Sequence, residues 1–151
     1  STFDPSQSLP YHEIATGFQE RFVEAHAVMG YSQGGGAAHD ITEALYANED
    51  KVTRAVVYLD AVEQDGADPQ IDWPEVTAFM LNIYSTIDEG FNLGGGDINN
   101  DEPDLYGATM VEINTTDDDG WDHTLDHYNI DDDFALQNEI FGRLHTWLVR
   151  R

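Results

Sequence analysis

The sequence predicts an α/β domain with a mainly parallel sheet flanked by helices, and three observations carry that expectation. Four short apolar runs, Ala27–Tyr31, Thr53–Leu59, Val76–Ser85 and Ala108–Thr115, have the length and β-branched or aromatic content of strands. Segments with apolar residues at helical spacing precede the first run, follow it, and close the chain. The first strand-to-helix junction is written Gly30, Tyr31, Ser32, Gln33, Gly34, with two further glycines behind it.

Taken in order, Ser1 to Pro10 is polar with two prolines and reads as an N-terminal arm. From Tyr11 to Glu24, Ile14, Phe18, Phe22 and Val23 fall at helical spacing. Ala27–Tyr31 is the first strand. The helix behind it runs over Gly35–Ala47, with Ala38, Ile41, Ala44 and Leu45 on one face. Asn48–Lys51 is a turn, and Thr53–Leu59 is a buried strand ending at Asp60. Glu63 to Pro74 is polar and loop-like. Val76–Ser85 is the third strand, and Thr86 to Tyr106 is an irregular stretch rich in Gly, Asp and Asn. Ala108–Thr115 alternates in the manner of a strand near a sheet edge. Asp117–Asp133 is an acidic loop with His123 and His127. The last helix is Phe134–Val149, with Leu136, Ile140, Leu144, Trp147 and Leu148 as its apolar stripe. Asp131–Asp133 stand before its N-terminus and Arg150 and Arg151 after its C-terminus, signs that suit the helix dipole. The 151 residues suit one domain with one core, and no internal repeat is visible.

Charge narrows the environment and the partners. The chain carries 30 acidic residues against 6 basic ones, a formal net charge of −24, and Lys51 is its single lysine. Self-repulsion at this density opposes compaction at low ionic strength, and salt screens it. An acidic, lysine-poor surface of this kind is expected of a protein working in concentrated salt. The acids are spread along the chain rather than gathered in one tail, which favours a solvated surface over an acidic docking patch. Phosphate binding needs clustered Lys and Arg, so nucleic acid and anionic membranes are not expected partners. With 40% hydrophobic residues the chain is expected to fold despite its charge. There is no cysteine, hence no disulfide or thiolate chemistry, and no apolar run long enough for a membrane span. No signal peptide is visible, and the first residue is Ser1 rather than Met, which suggests processing or a longer parent polypeptide.

The junction at Ser32 carries the chemistry. Gly-x-Ser-x-Gly between a strand and a helix sets a serine on a sharp turn, the nucleophile elbow, with its hydroxyl presented at the strand end. The crowding of that turn calls for glycine two residues before and two after the serine. The Gln33 N–H, at the start of the following helix, is placed to stabilise a developing oxyanion. A serine hydroxyl needs a base, and the base needs an orienting acid. His127, in the loop between the last strand and the last helix, suits the base, and His123 is the alternative. His12, His26, His39 and His145 sit where a structural reading is stronger. For the acid, Asp60 directly abuts the second strand and is preferred to Asp88, which follows the third. The order Ser32, Asp60, His127 matches one of the known chain orders of such triads.

These residues resemble the α/β-hydrolase fold. Gly30 to Gly35 is similar to the elbow of its lipases and esterases. Tyr58, Leu59, Asp60, Ala61, Val62 resembles the strand-end aspartate of the branch whose acid follows the strand after the elbow. His127 to Asp132 resembles the His-x-x-Ile-Asp-Asp segment of uncharacterised bacterial members, in which the histidine is taken as catalytic. The resemblance spans Tyr11 to the end. It implies a serine hydrolase of carboxylic esters with Ser32, His127 and Asp60 as its triad, a small-molecule ester as substrate, and no cofactor. The family's sheet usually has eight strands, and the four here correspond to its second half. The first half normally supplies the second oxyanion donor, and no such loop precedes Ser32. The elbow strand is then expected at an open sheet edge. The readings that follow are a piece of a larger protein missing its N-terminal half, a chain completed by a partner or second copy, or a reduced hydrolase.

Two other functions compete with this one: a non-catalytic relative serving as a binding or assembly module, and a calcium-binding acidic module. Asp97, Asn99, Asp101 and Asp104 place oxygen ligands in the manner of a calcium loop. An EF-hand needs Gly at its sixth position and Glu at its twelfth, and Glu102 and Ala108 stand there instead, so the match fails and a solvated loop is expected.

Overall fold

The computed structural model describes residues 26–49, 53–62, 78–87 and 109–149. The arm 1–10, the helix expected over 11–24, the stretches 63–77 and 88–108 with Asp88 and Asp97–Asp104, and the terminal arginines lie outside the described residues.

Within them, β1 (Ala27–Tyr31) leads into α1 (Gly34–Glu49), which is followed by β2 (Ala55–Leu59), β3 (Phe79–Tyr84) and β4 (Thr109–Asn114). A 3₁₀ turn (Ile130–Asp132) and α2 (Phe134–Val149) complete the order. The strands form one sheet in sequence order, β1-β2-β3-β4, and every pairing is parallel. The fold is therefore α/β with a parallel sheet. Parallel strands are covered on both faces, which is why β2 and β3 are near-continuous apolar runs. Every residue of β2 is buried, and in β3 only Phe79 is partly exposed.

The alternation along β2 sorts its side chains between two layers. Ala55, Val57 and Leu59 face one side, where Leu81, Ile83 and Ile113 join Leu136, Ile140 and Trp147 of α2. Val56 and Tyr58 face the other, with Met80 and with Ala38 of α1. Ile41 and Leu45 extend the α1 layer over Val28. The helices thus sandwich the sheet. Each fully buried Val, Leu or Ile contributes about 1.5–3 kcal/mol, so the two layers together are the main source of stability. The stripe expected on α2 is buried at Leu136, Ile140 and Trp147, and Leu144 packs against the same cluster from a half-buried position.

Element ends follow local chemistry. β2 starts at Ala55 rather than Thr53: the Ala55 N–H makes the first ladder bond to β1, to the His26 carbonyl oxygen at 3.3 Å, and the Arg54 N–H shares that acceptor at 3.1 Å. Thr53 is spent on a buried bond to His26, Oγ1 to Nε2 at 3.1 Å. Arg54 donates from Nε to the Trp147 carbonyl oxygen at 2.9 Å and lies over the Phe79 ring, which stacks on Trp147 at 5.1 Å. That bond satisfies a carbonyl in the last turn of α2 and ties the helix to the sheet. At the other end, Asp133 accepts the Leu136 N–H at 2.9 Å through Oδ2. It is the N-cap of α2, which is why the helix starts at Phe134 as the sequence predicts. Asp133→Ala is expected to lower the unfolding free energy by about 1 kcal/mol, read from urea denaturation.

β1 forms one edge of the described sheet, as expected, with Met29 49% exposed. Among the described residues no helix is long and apolar enough to cross a membrane.

Candidate active site

Register brings the site together. Tyr31 pairs with Leu59, and Leu59 with Ile83, so the C-terminal ends of β1, β2 and β3 lie level. Ser32 and Asp60 each follow their strand by one residue and stand side by side. The ladder runs past the strands to hold them: Ser32 N–H donates to the Leu59 carbonyl oxygen at 3.2 Å, and Asp60 N–H to that of Ile83 at 2.7 Å. The Ser32 carbonyl oxygen in turn accepts the N–H of Gly35 at 2.9 Å and of Val62 at 3.0 Å.

Ser32 and Asp60 are the non-glycine residues with positive φ among those described, at 53° and 43°. The left-handed region costs a residue with a Cβ roughly 1–3 kcal/mol, and such strain collects where a side chain must be presented in one direction. The elbow turn also needs Gly30. A Cβ there would lie 2.1 Å from the Gly34 carbonyl oxygen and 2.6 Å from the Gly35 nitrogen. The motif has glycine at Gly34 as well, but among the described residues nothing lies within 4 Å of a Cβ at Gly34. The crowding is one-sided, since the helix backbone presses on Gly30 while position 34 faces outward.

The three side chains named from the sequence form a chain of hydrogen bonds. Ser32 Oγ lies 2.8 Å from His127 Nε2, and His127 Nδ1 lies 2.6 Å from Asp60 Oδ2. An ionised carboxylate only accepts, so Nδ1 carries the proton and Nε2 is left to accept from the serine. Asp60 is fully buried and His127 nearly so. A buried carboxylate must be satisfied, and the Ser85 N–H meets Asp60 Oδ1 at 3.1 Å. Asp60 is therefore the acid in contact, while Asp88 lies outside the described residues. His123, the alternative base, is exposed, and its Nε2 bonds the Asp118 carbonyl oxygen at 3.0 Å.

His127 reaches the serine because the acidic loop is built rather than loose. Asp126 Oδ1 accepts the N–H of Tyr128 at 2.8 Å and of Asn129 at 3.1 Å, a local turn closed around the histidine. Asp122 Oδ1 likewise accepts the hydroxyl and the N–H of Thr124, and these two bonds hold the Asp122 carboxyl below the usual carboxylate range. Leu125 and Ile130, buried on either side of His127, anchor the loop in the α2-side core. Ser85, which sequence reasoning missed, adds a polar anchor. Its hydroxyl donates to the Leu125 carbonyl oxygen at 2.6 Å and accepts the Ile87 N–H at 3.1 Å. One residue thus holds both the Asp60 carboxylate and the loop that carries His127, and no motif marks it, because half of its contribution is a backbone N–H.

Tyr31 borders the same imidazole. Its hydroxyl donates to the His127 carbonyl oxygen, and its ring stacks on the imidazole at 5.5 Å and 27°. Burial, followed by the charges of Asp131, Asp60, Asp126 and Asp132, pushes the phenol up to about 12. Tyr128 meets the imidazole edge-on at 5.7 Å.

One grouping among the described residues has the composition of a metal site: His39, Asp40 and Glu43, whose ligand atoms lie within 4.8 Å of one another. The His39 nitrogens stand 3.7 Å from the Asp40 carboxylate and 3.6 Å from that of Glu43, the latter an ordinary i,i+4 helix pair. Comparison with protein-family models, with curated proteins and with solved structures gave no match.

Proposed function

We propose that the chain is a serine hydrolase of the α/β-hydrolase type, acting on carboxylic esters. The observation that carries this reading is the continuous relay from Ser32 Oγ through His127 to Asp60, built on a strained strand-to-helix turn. Strain, burial and two hydrogen bonds in series at one sheet end are hard to account for in a serine of no chemical use. The likeness of the segment Gly30 to Gly35 to esterase and lipase elbows supports an ester as substrate.

In this mechanism Ser32 Oγ attacks the ester carbonyl carbon as its proton passes to His127 Nε2. Asp60 holds the Nδ1–H tautomer and stabilises the imidazolium. The carbonyl oxygen becomes an oxyanion, and the Gln33 N–H at the positive end of α1 is one donor to it. The bond to the alcohol oxygen then breaks, that oxygen takes the proton from Nε2, and the alcohol leaves an acyl-Ser32. A water molecule gives its proton to Nε2 and attacks the acyl carbon. Collapse releases the acid and returns the proton to Ser32.

Ser32→Ala tests the reading. It is expected to bind a p-nitrophenyl ester normally and to lose turnover by about 10³-fold or more, in high salt. Unchanged turnover in that variant would rule the mechanism out.

A further inference from the structure

The loop that carries His127 is anchored on two sides by the contacts above, to β3 through Ser85 and to the α2-side core through Leu125 and Ile130. The Ser85 anchor reaches the loop from the strand end beside Asp60, and the core that holds Leu125 and Ile130 also packs against Ala27 and Tyr31 of β1. The nucleophile stands on a different strand, β1, and the 2.8 Å separation of Ser32 Oγ and His127 Nε2 needs a tie between that strand and the loop. Tyr31 supplies one. It is the last residue of β1, its hydroxyl bonds the His127 carbonyl oxygen, and its backbone is fixed by pairing with Leu59.

From this geometry we infer that Tyr31 is a positioning residue for the base: it sets the distance between nucleophile and imidazole, and its ring favours the imidazolium that forms during proton transfer. The inference rests on the hydrolase reading for its effect on rate, though not for its effect on His127. Two physical terms support it. The tie is a single hydrogen bond across two chain segments, and an error of about 1 Å in a reacting geometry costs on the order of 10²-fold in rate. The ring faces the imidazole at 5.5 Å, within cation–π range, an attraction that appears only when the histidine is charged. Its high pKa keeps the phenol a donor throughout the neutral range. The role was hidden in the sequence because the position between Gly30 and Ser32 is free in the motif, and nothing local marks which residue there will face the base.

Tyr31→Phe removes the tie and keeps the ring. It is expected to lower kcat for a p-nitrophenyl ester by about tenfold with KM within about twofold, since the tie acts on proton transfer rather than on binding. Tyr31→Leu, which also loses the ring, is expected to lose about another tenfold. The decisive readout does not need turnover. The His127 Nδ1–H proton, donated to Asp60 across 2.6 Å, gives a downfield proton NMR line. That line is expected to be sharp in the unmodified chain and in Ser32→Ala, and broadened by exchange in Tyr31→Phe. An equally sharp line in Tyr31→Phe overturns the positioning role, whatever the rates. Absence of ester turnover in the unmodified chain would sink the hydrolase reading instead, and the broadening would still decide the role of Tyr31.

Discussion

Asp60→Asn is expected to lower kcat for ester hydrolysis on the order of 10⁴-fold while the protein stays folded. The geometry fixes the reason. Ser85 N–H donates to Oδ1, so the asparagine must keep its oxygen there and turn its NH₂ group toward His127. An NH₂ group donates, so His127 Nδ1 has to accept and the ring proton moves to Nε2. The face of the imidazole that meets Ser32 then holds a proton instead of a lone pair, and the serine loses its base. The substitution preserves shape and removes only the tautomer. A kcat within tenfold of the unmodified chain would mean that Asp60 does not orient the base.

The second large effect is on folding. Gly30→Ala places a methyl group 2.1 Å from the Gly34 carbonyl oxygen, which is backbone and has no rotamer to move. Relief requires the first turn of α1 to move about 1 Å away from β1. That displaces Ala38, Ile41 and Leu45 from their contacts on the sheet. The expected cost is about 3 kcal/mol or more, a large share of a small domain's stability. Gly34→Ala, four residues on, is the control. Among the described residues nothing lies within 4 Å of its Cβ, and its helix propensity improves, so stability is expected to hold or to rise by up to about 1 kcal/mol. Urea denaturation of the two variants separates them. Equal stabilities would show that the elbow is not closed as described.

These contrasts mark what the sequence could and could not show. The strands were legible because β2 and β3 are covered on both faces and read as unbroken apolar runs. Their ends were less so. Thr53 and Arg54 lead into β2 with strand-like residues, yet their side chains are spent on His26 and on the Trp147 carbonyl oxygen, and the strand proper begins at Ala55. The start of α2 was legible because Asp133 caps it with its own side chain. Ser32 and Asp60 could be named because both directly follow strands, and parallel register levels their ends. His127 could be preferred to His123 from its place in the loop, and the bonds to Ser32 and Asp60 that distinguish the two depend on a turn closed by Asp126, which the sequence pattern does not show. Ser85 and Tyr31 act through a backbone N–H and a long-range hydroxyl, and neither leaves a local pattern. The motif treats Gly34 like Gly30, because a motif records which residue is present and not which way its Cβ would point.

The central claim is that Ser32 is an activated nucleophile. Labelling with a fluorophosphonate serine probe in high salt, followed by peptide mapping, tests it most directly. A single phosphonylated site at Ser32 is expected, abolished in Ser32→Ala and reduced by about 10³-fold or more in His127→Ala. A folded chain that takes no label at Ser32, or that labels equally well without His127, would contradict it.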